Sequence, residues 1–225
     1  MDTNKKIAKM VGVLFIIGTV AGMISLFLNP FLNNPDYLIE LSENKSRVIL
    51  GALFVLIMGI SLSMMSVVLY PIIKKYNETL ALGAVIFRGA LELVSYMGLV
   101  ISWLLLLTLS QEYISAGTPE ESNFQLMGTM LLDVTSRLGI MLDIVFSIGA
   151  LIIYYIFYKT KLIPMWLSIG GLIGAIMYLA SPILNMFGFD FEFLQFFLAV
   201  QEMVMAVWLI VRGFNPSAIT SLSAA

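Results

Sequence analysis

The sequence predicts an all-α integral membrane bundle of six transmembrane helices, a single domain over residues 1–225 with both termini cytoplasmic. Three observations carry this expectation. Of the 225 residues, 60% are hydrophobic and 12% charged, against roughly 45–50% and 25% in an ordinary soluble domain. Six apolar runs are each long enough to cross a hydrocarbon core about 30 Å thick, which takes about 20 helical residues. The basic residues between those runs gather on one side, as they do in cytoplasmic loops.

The first run, 10–28, follows Lys5, Lys6 and Lys9. That charge suits a signal peptide, but the apolar stretch is too long for one and five more follow, so it reads as a retained signal anchor. The segment 33–44 reads as a short surface helix, with Asn34 as its cap, Pro35 in its first turn, and Tyr37, Leu38 and Leu41 resting on lipid headgroups. The second and third runs, 48–73 and 80–109, are separated by Lys74 and Lys75. Thr118-Pro119-Glu120-Glu121 has a capping-box pattern. The fourth helix is therefore expected to begin well before its apolar run at 138–158, and either to project from the membrane or to bend near Gly128 or Gly139. The fifth run, 165–187, carries Pro182, which is expected to kink or end it near its outer face. The sixth is 194–211.

With this threading, Lys5, Lys6, Lys9, Lys74, Lys75, Lys159, Lys161 and Arg212 share one side and only Lys45 and Arg47 the other. The first group marks the cytoplasmic face of a plasma membrane. Tyr70, Tyr158, Trp166 and Trp208 lie near that boundary and read as interfacial anchors. Gly18 with Gly22 and Gly170 with Gly174 have the small-xxx-small spacing that lets helix backbones approach closely in lipid.

Composition also excludes chemistry. With no cysteine and no histidine, the chain has no thiol nucleophile, no usual zinc site and no Ser-His-Asp triad; no metal and no cofactor are expected. A net charge of −2 offers no basic field for nucleic acid. The fifteen methionines read as flexible core filling rather than soft-metal ligands. Asn44-Lys45-Ser46 fits a glycosylation acceptor on the outer side.

Ionisable residues inside a span are costly and point to function. Asp133 and Arg137 fall at the outer surface and read as an exposed i,i+4 pair. Glu202 has about nine apolar-span residues on each side, which puts it near the midplane. Glu92 lies mid-span with Arg88 one turn toward the cytoplasm, and Asp143 somewhat outward of the centre. Three carboxylates and one guanidinium thus share a layer, with Arg88 expected to reach Glu202 across helices because an acid following a base is the weaker order on one helix. The excess negative charge calls for a proton, a bound cation or a cationic small molecule.

Leu69-Tyr70-Pro71 with Lys74-Lys75, Phe87-Arg88 through Leu91-Glu92 to Tyr96, Leu162-Ile163-Pro164-Met165-Trp166-Leu167-Ser168 with Gly171, and Gln201-Glu202-Met203 through Trp208 to Arg212-Gly213-Phe214 resemble a bacterial membrane family catalogued as domain of unknown function 4386. The resemblance extends over nearly the whole chain. It implies a bacterial or archaeal multi-pass membrane protein and brings no activity or cofactor with it. Its Arg-x-x-x-Glu and Gln-Glu elements are Arg88, Glu92, Gln201 and Glu202, while Asp143 has no secure counterpart.

The candidate site is therefore Arg88, Glu92, Asp143, Gln201 and Glu202, and the first expectation is a small-solute or proton/cation-linked transporter or ligand-binding membrane protein. The alternatives are a structural or sensory subunit, with a membrane protein partner or as a homo-oligomer, and an intramembrane enzyme using two carboxylates as acid and base.

Overall fold

A computed structural model of the chain describes residues 3–29, 34, 36–116 and 121–224. The elements are α1 (Thr3–Leu28), α2 (Tyr37–Glu43), α3 (Lys45–Ile73), α4 (Glu78–Val85), a π-helical segment (Ile86–Leu91), α5 (Glu92–Ala116), α6 (Glu121–Thr160), α7 (Met165–Met186), α8 (Phe193–Val211) and α9 (Pro216–Ala224). No strand occurs among the described residues. Six helices are long and apolar enough to cross a membrane: α1, α3, the continuous run Glu78–Ala116, α6, α7 and α8. They coincide with the six apolar runs, and the chain is a multi-pass membrane protein.

The six spans close into a ring in chain order. Each packs on the next, α1 on α3, α3 on α5, α5 on α6, α6 on α7, α7 on α8, and α8 returns to α1. Such sequential neighbours are what short loops impose on antiparallel helices. The fourth span comes close to the π segment, backbone against backbone. A Cβ at Gly149 would stand 2.8 Å from the amide nitrogen and from the Cβ of Arg88, so only glycine lets α6 come this close.

At the end of the bundle away from the chain termini, the structure favours one of the two expectations for the fourth helix, projection over bending, and departs from others. α6 runs as a helix through Gly128 and Gly139, and its 40 residues span about 60 Å, roughly twice the hydrocarbon thickness. Its N-terminal part and the C-terminal end of α5 form a second apolar cluster with α2. Tyr37, Leu38 and Leu41 are buried in that cluster rather than laid on headgroups, because two long helices offer α2 a drier surface. Ser110 donates a hydrogen bond to the Leu38 carbonyl, which pins α2 to α5. Asp36, not Asn34, precedes the first turn of α2. Asn34 instead accepts from the Asp36 amide and donates to Glu40. The roles expected of Pro35, Thr118, Pro119 and Glu120 fall outside the described residues.

α7 does not end at Pro182 but continues to Met186. It stops at Gly188, whose φ of 85° supplies the left-handed turn, with the Phe189 amide bonded back to the Leu184 carbonyl. Beyond the sixth span, α9 was not anticipated. It folds back beneath the bundle, where Ile219 and Leu222 pack on the main core and Lys75 donates to Ser223 at 3.0 Å. Asn215 ties this turn to the α6–α7 loop, its amide bonding the Leu162 carbonyl at 2.9 Å.

The glycine contacts lead to a paired test. Gly149→Ala is expected to lower thermal stability in detergent by about 1–3 kcal/mol through overpacking against Arg88. Gly139→Ala, where a Cβ meets nothing within 4 Å, is expected to be neutral or stabilising by up to about 1 kcal/mol.

Candidate functional site

Arg88 lies in the π segment of the third span, and its side chain points to the centre of the ring. Nη1 donates to both oxygens of Glu92, at 2.7 and 2.8 Å, and Nη2 donates to both oxygens of Glu202, at 3.0 and 3.3 Å. One guanidinium therefore holds two carboxylates, one from its own span and one from α8. The planar fork of arginine has the geometry for this, with separate N–H groups for each partner. The sequence reading favoured the bond to Glu202 over that to Glu92; the structure makes both.

The surroundings are closed and aromatic. Arg88 and Glu92 are 1% exposed and Glu202 is 8% exposed. The guanidinium carbon lies 4.0 Å from the ring centroid of Phe146 on α6 and 5.6 Å from that of Phe15 on α1. Ring faces attract a cation where water is absent. First, third, fourth and sixth spans thus all meet at Arg88. The π segment is part of the device: it occupies the one turn that carries Arg88 and leads directly into Glu92, and π turns of this kind gather at functional positions. Nothing in the sequence marked it. The Arg88 Nε is buried without a partner, so the guanidinium is fixed through its two terminal nitrogens alone.

The remaining candidates do not join this triad. Asp143 was expected in the same layer, but it accepts hydrogen bonds from the Tyr178 hydroxyl at 3.0 Å and from Gln195 Nε2 at 2.9 Å. Its position on α6 turns it toward α7 and the N-terminal end of α8. Gln201 adjoins Glu202 in sequence yet faces another way: its Oε1 accepts from the Tyr154 hydroxyl at 2.6 Å, and its Nε2 donates to the Leu167 carbonyl at 2.8 Å. It staples α8 to α6 and α7, a structural role that successive positions on a helix, about 100° apart, make natural. Tyr154, Tyr178 and Gln195 were not singled out from sequence, since aromatic and amide residues in an apolar helix carry no spacing signal. Asp133 and Arg137 are both exposed, and the expected ion pair between them is not formed; the buried ion pairs are those of Arg88. No group of three or more metal-ligating side chains occurs among the described residues either.

In charge, the triad is one cation against two anions. Removing its cation leaves two buried carboxylates without compensation, whereas neutralising Glu202 leaves the two-bond pair of Arg88 with Glu92. Arg88→Gln is accordingly expected to cost about 3–5 kcal/mol of stability, and Glu202→Gln markedly less, as read by thermal unfolding in detergent at neutral pH. Equal losses in the two variants would contradict this ordering.

Comparison with known proteins adds a family and no activity. No curated protein and no solved structure matches the chain. A family described as domain of unknown function matches residues 10–213, a segment that includes every member of the triad and both of its aromatic walls. The chain belongs to the domain of unknown function 4386 family.

Proposed function

We propose that this chain is a proton-linked small-solute carrier or ligand-binding protein of the plasma membrane, with the Arg88 triad as its working group. The observation that carries the reading is the pairing of one buried guanidinium with two carboxylates, 1% and 8% exposed. Fully ionised, the triad has one uncompensated negative charge in a low-dielectric interior, where such a charge is costly. One proton neutralises it. Because Glu202 stands on α8 and Arg88 on the third span, gaining or losing that proton changes the attraction between two spans. A carrier needs such a coupling between ion binding and helix packing.

The cytoplasmic face in this proposal is the end where Lys75 meets α9 and Gly213 lies against Lys5. The excess of lysine and arginine there supports the assignment. A second reading, a subunit of a membrane complex, draws on the outer part of α6, where Leu126, Met127 and Met130 are each more than half exposed. An acid-base enzyme has less in its favour, since both buried carboxylates engage the same cation rather than standing in separate environments.

Infrared spectroscopy of the protein in lipid bilayers tests the proton. A protonated-carboxyl band at neutral pH is expected that survives Asp143→Asn and disappears in Glu202→Gln, where one acid and one base already balance. Wild-type protein with no such band at any pH down to its acid unfolding contradicts the proposal. Orientation is open to a separate test, because the natural chain has no cysteine. Ser217→Cys is expected to react with an impermeant maleimide only in inside-out vesicles, and Ser115→Cys only in right-side-out ones.

A further inference from the structure

We propose that Asp143, together with Tyr178 and Gln195, is the outward port for the proton of the triad, and that the Phe146 ring is the barrier between port and triad. This rests on the proton-linked reading above and adds a route to it.

The geometry stacks two polar sites along one line of the bundle. Gln195 lies in the first turn of α8, at its outer end, and Glu202 lies seven residues further in, about 10 Å along the axis. Gln195 bonds Asp143 and Glu202 bonds Arg88, so the same helix presents one acid site to the outside and one to the middle. Between them stands Phe146, one turn along α6 from Asp143. Its ring centroid is 4.7 Å from that of Tyr178 and 4.0 Å from the Arg88 guanidinium carbon. A single aromatic ring therefore touches a member of each site.

Asp143 is partly buried, and the two hydrogen bonds it accepts come from neutral groups. Among the described residues no basic side chain pairs with it. The titratable groups facing it are Tyr178 from α7, Tyr96 from α5 and Glu192 at the start of α8, with the neutral Gln195 amide beside them. A partly exposed carboxylate with no cation has the chemistry to take a proton from outer water. Tyr178 is both donor and acceptor, as is Tyr96, which lies beside Glu92 and within electrostatic reach of Asp143 and Glu202.

The transfer balances without any other reactant. A proton from the outer solution binds Asp143. When Phe146 swings aside, a tyrosine hydroxyl accepts that proton on its oxygen and passes its own to Glu92 or Glu202, and Asp143 returns to the carboxylate. With the ring in place the two sites are insulated, which keeps outer pH from reaching the triad continuously.

The test is the rate at which the triad's carboxyl band grows after an acid pulse to right-side-out proteoliposomes first equilibrated at a pH alkaline enough to abolish the band. Asp143→Asn is expected to slow the response to outer acid about 100-fold, the lower range for a positioned proton-transfer group, with the final amplitude and the response to inner acid unchanged. Tyr178→Phe, which keeps the ring against Phe146, is expected to slow it as well, and Phe146→Ala to speed it. Retained amplitude shows that each variant is folded, and Asp143→Glu is expected to restore the rate if Asp143→Asn loses amplitude. A normal triad band with unchanged rates in Asp143→Asn and Phe146→Ala overturns this proposal alone. Absence of the band in wild-type protein overturns the proton-linked reading with it.

Discussion

A guanidinium held 1% exposed at the centre of a membrane bundle is the constraint on which the rest of this structure depends. Its burial is tolerable only where carboxylates pair its charge, and that pairing dictates the neighbours. Glu92 follows it one turn later on the same span, Glu202 arrives from α8, and two phenylalanines present their faces to it. Gly149 lets α6 approach its backbone, and the π segment sets the turn from which the side chain departs. Four of the six spans are thereby positioned relative to one residue. In lipid, where apolar burial gives little drive for helices to associate, a polar contact of this kind specifies register that leucines and isoleucines leave open.

Much of this was legible in the sequence for a simple reason. Hydropathy over about 20 residues reports a property of the solvent, so the six spans and the depth of Glu202 follow from counting. Charge in a span is rare enough that Arg88, Glu92 and Glu202 stood out before any contact was known. What counting cannot supply is the rotation of each helix about its axis. Gln201 and Glu202 are adjacent in sequence but serve different sides of α8, one bonded to Tyr154 and Leu167, the other to Arg88. Asp143 was counted into the same layer as the triad, yet it turns away from it to partners on α7 and in the first turn of α8. The burial of α2 was missed for the same reason: Tyr37, Leu38 and Leu41 mark an apolar face, but only the neighbouring helices decide whether that face meets lipid or protein.

The functional reading and the fold share their physics. Gln201 fixes α8 against α6 and α7 through neutral hydrogen bonds, so in the proposed function α8 keeps one firm attachment while its bond to the third span varies with charge. Away from the triad, Asp143, midway along α6, and Gln195, in the first turn of α8, link these two helices, with Tyr178 joining from α7. One helix thus carries a fixed contact and two polar contacts at different depths. Phe146 separates those depths while also serving as a wall for Arg88, and a residue with both duties ties the insulation of the site to its stability.

A double-mutant cycle between Arg88 and Glu202 addresses the shared guanidinium most directly. Stability would be measured for wild type, Arg88→Gln, Glu202→Gln and the double variant in the same detergent at neutral pH. If one arginine holds both acids, the double variant is more stable than Arg88→Gln alone, and the coupling energy falls within about 0.5–3 kcal/mol, the range for residues in contact. Losses that simply add, with no coupling between the two positions, would contradict the triad as the centre of this fold.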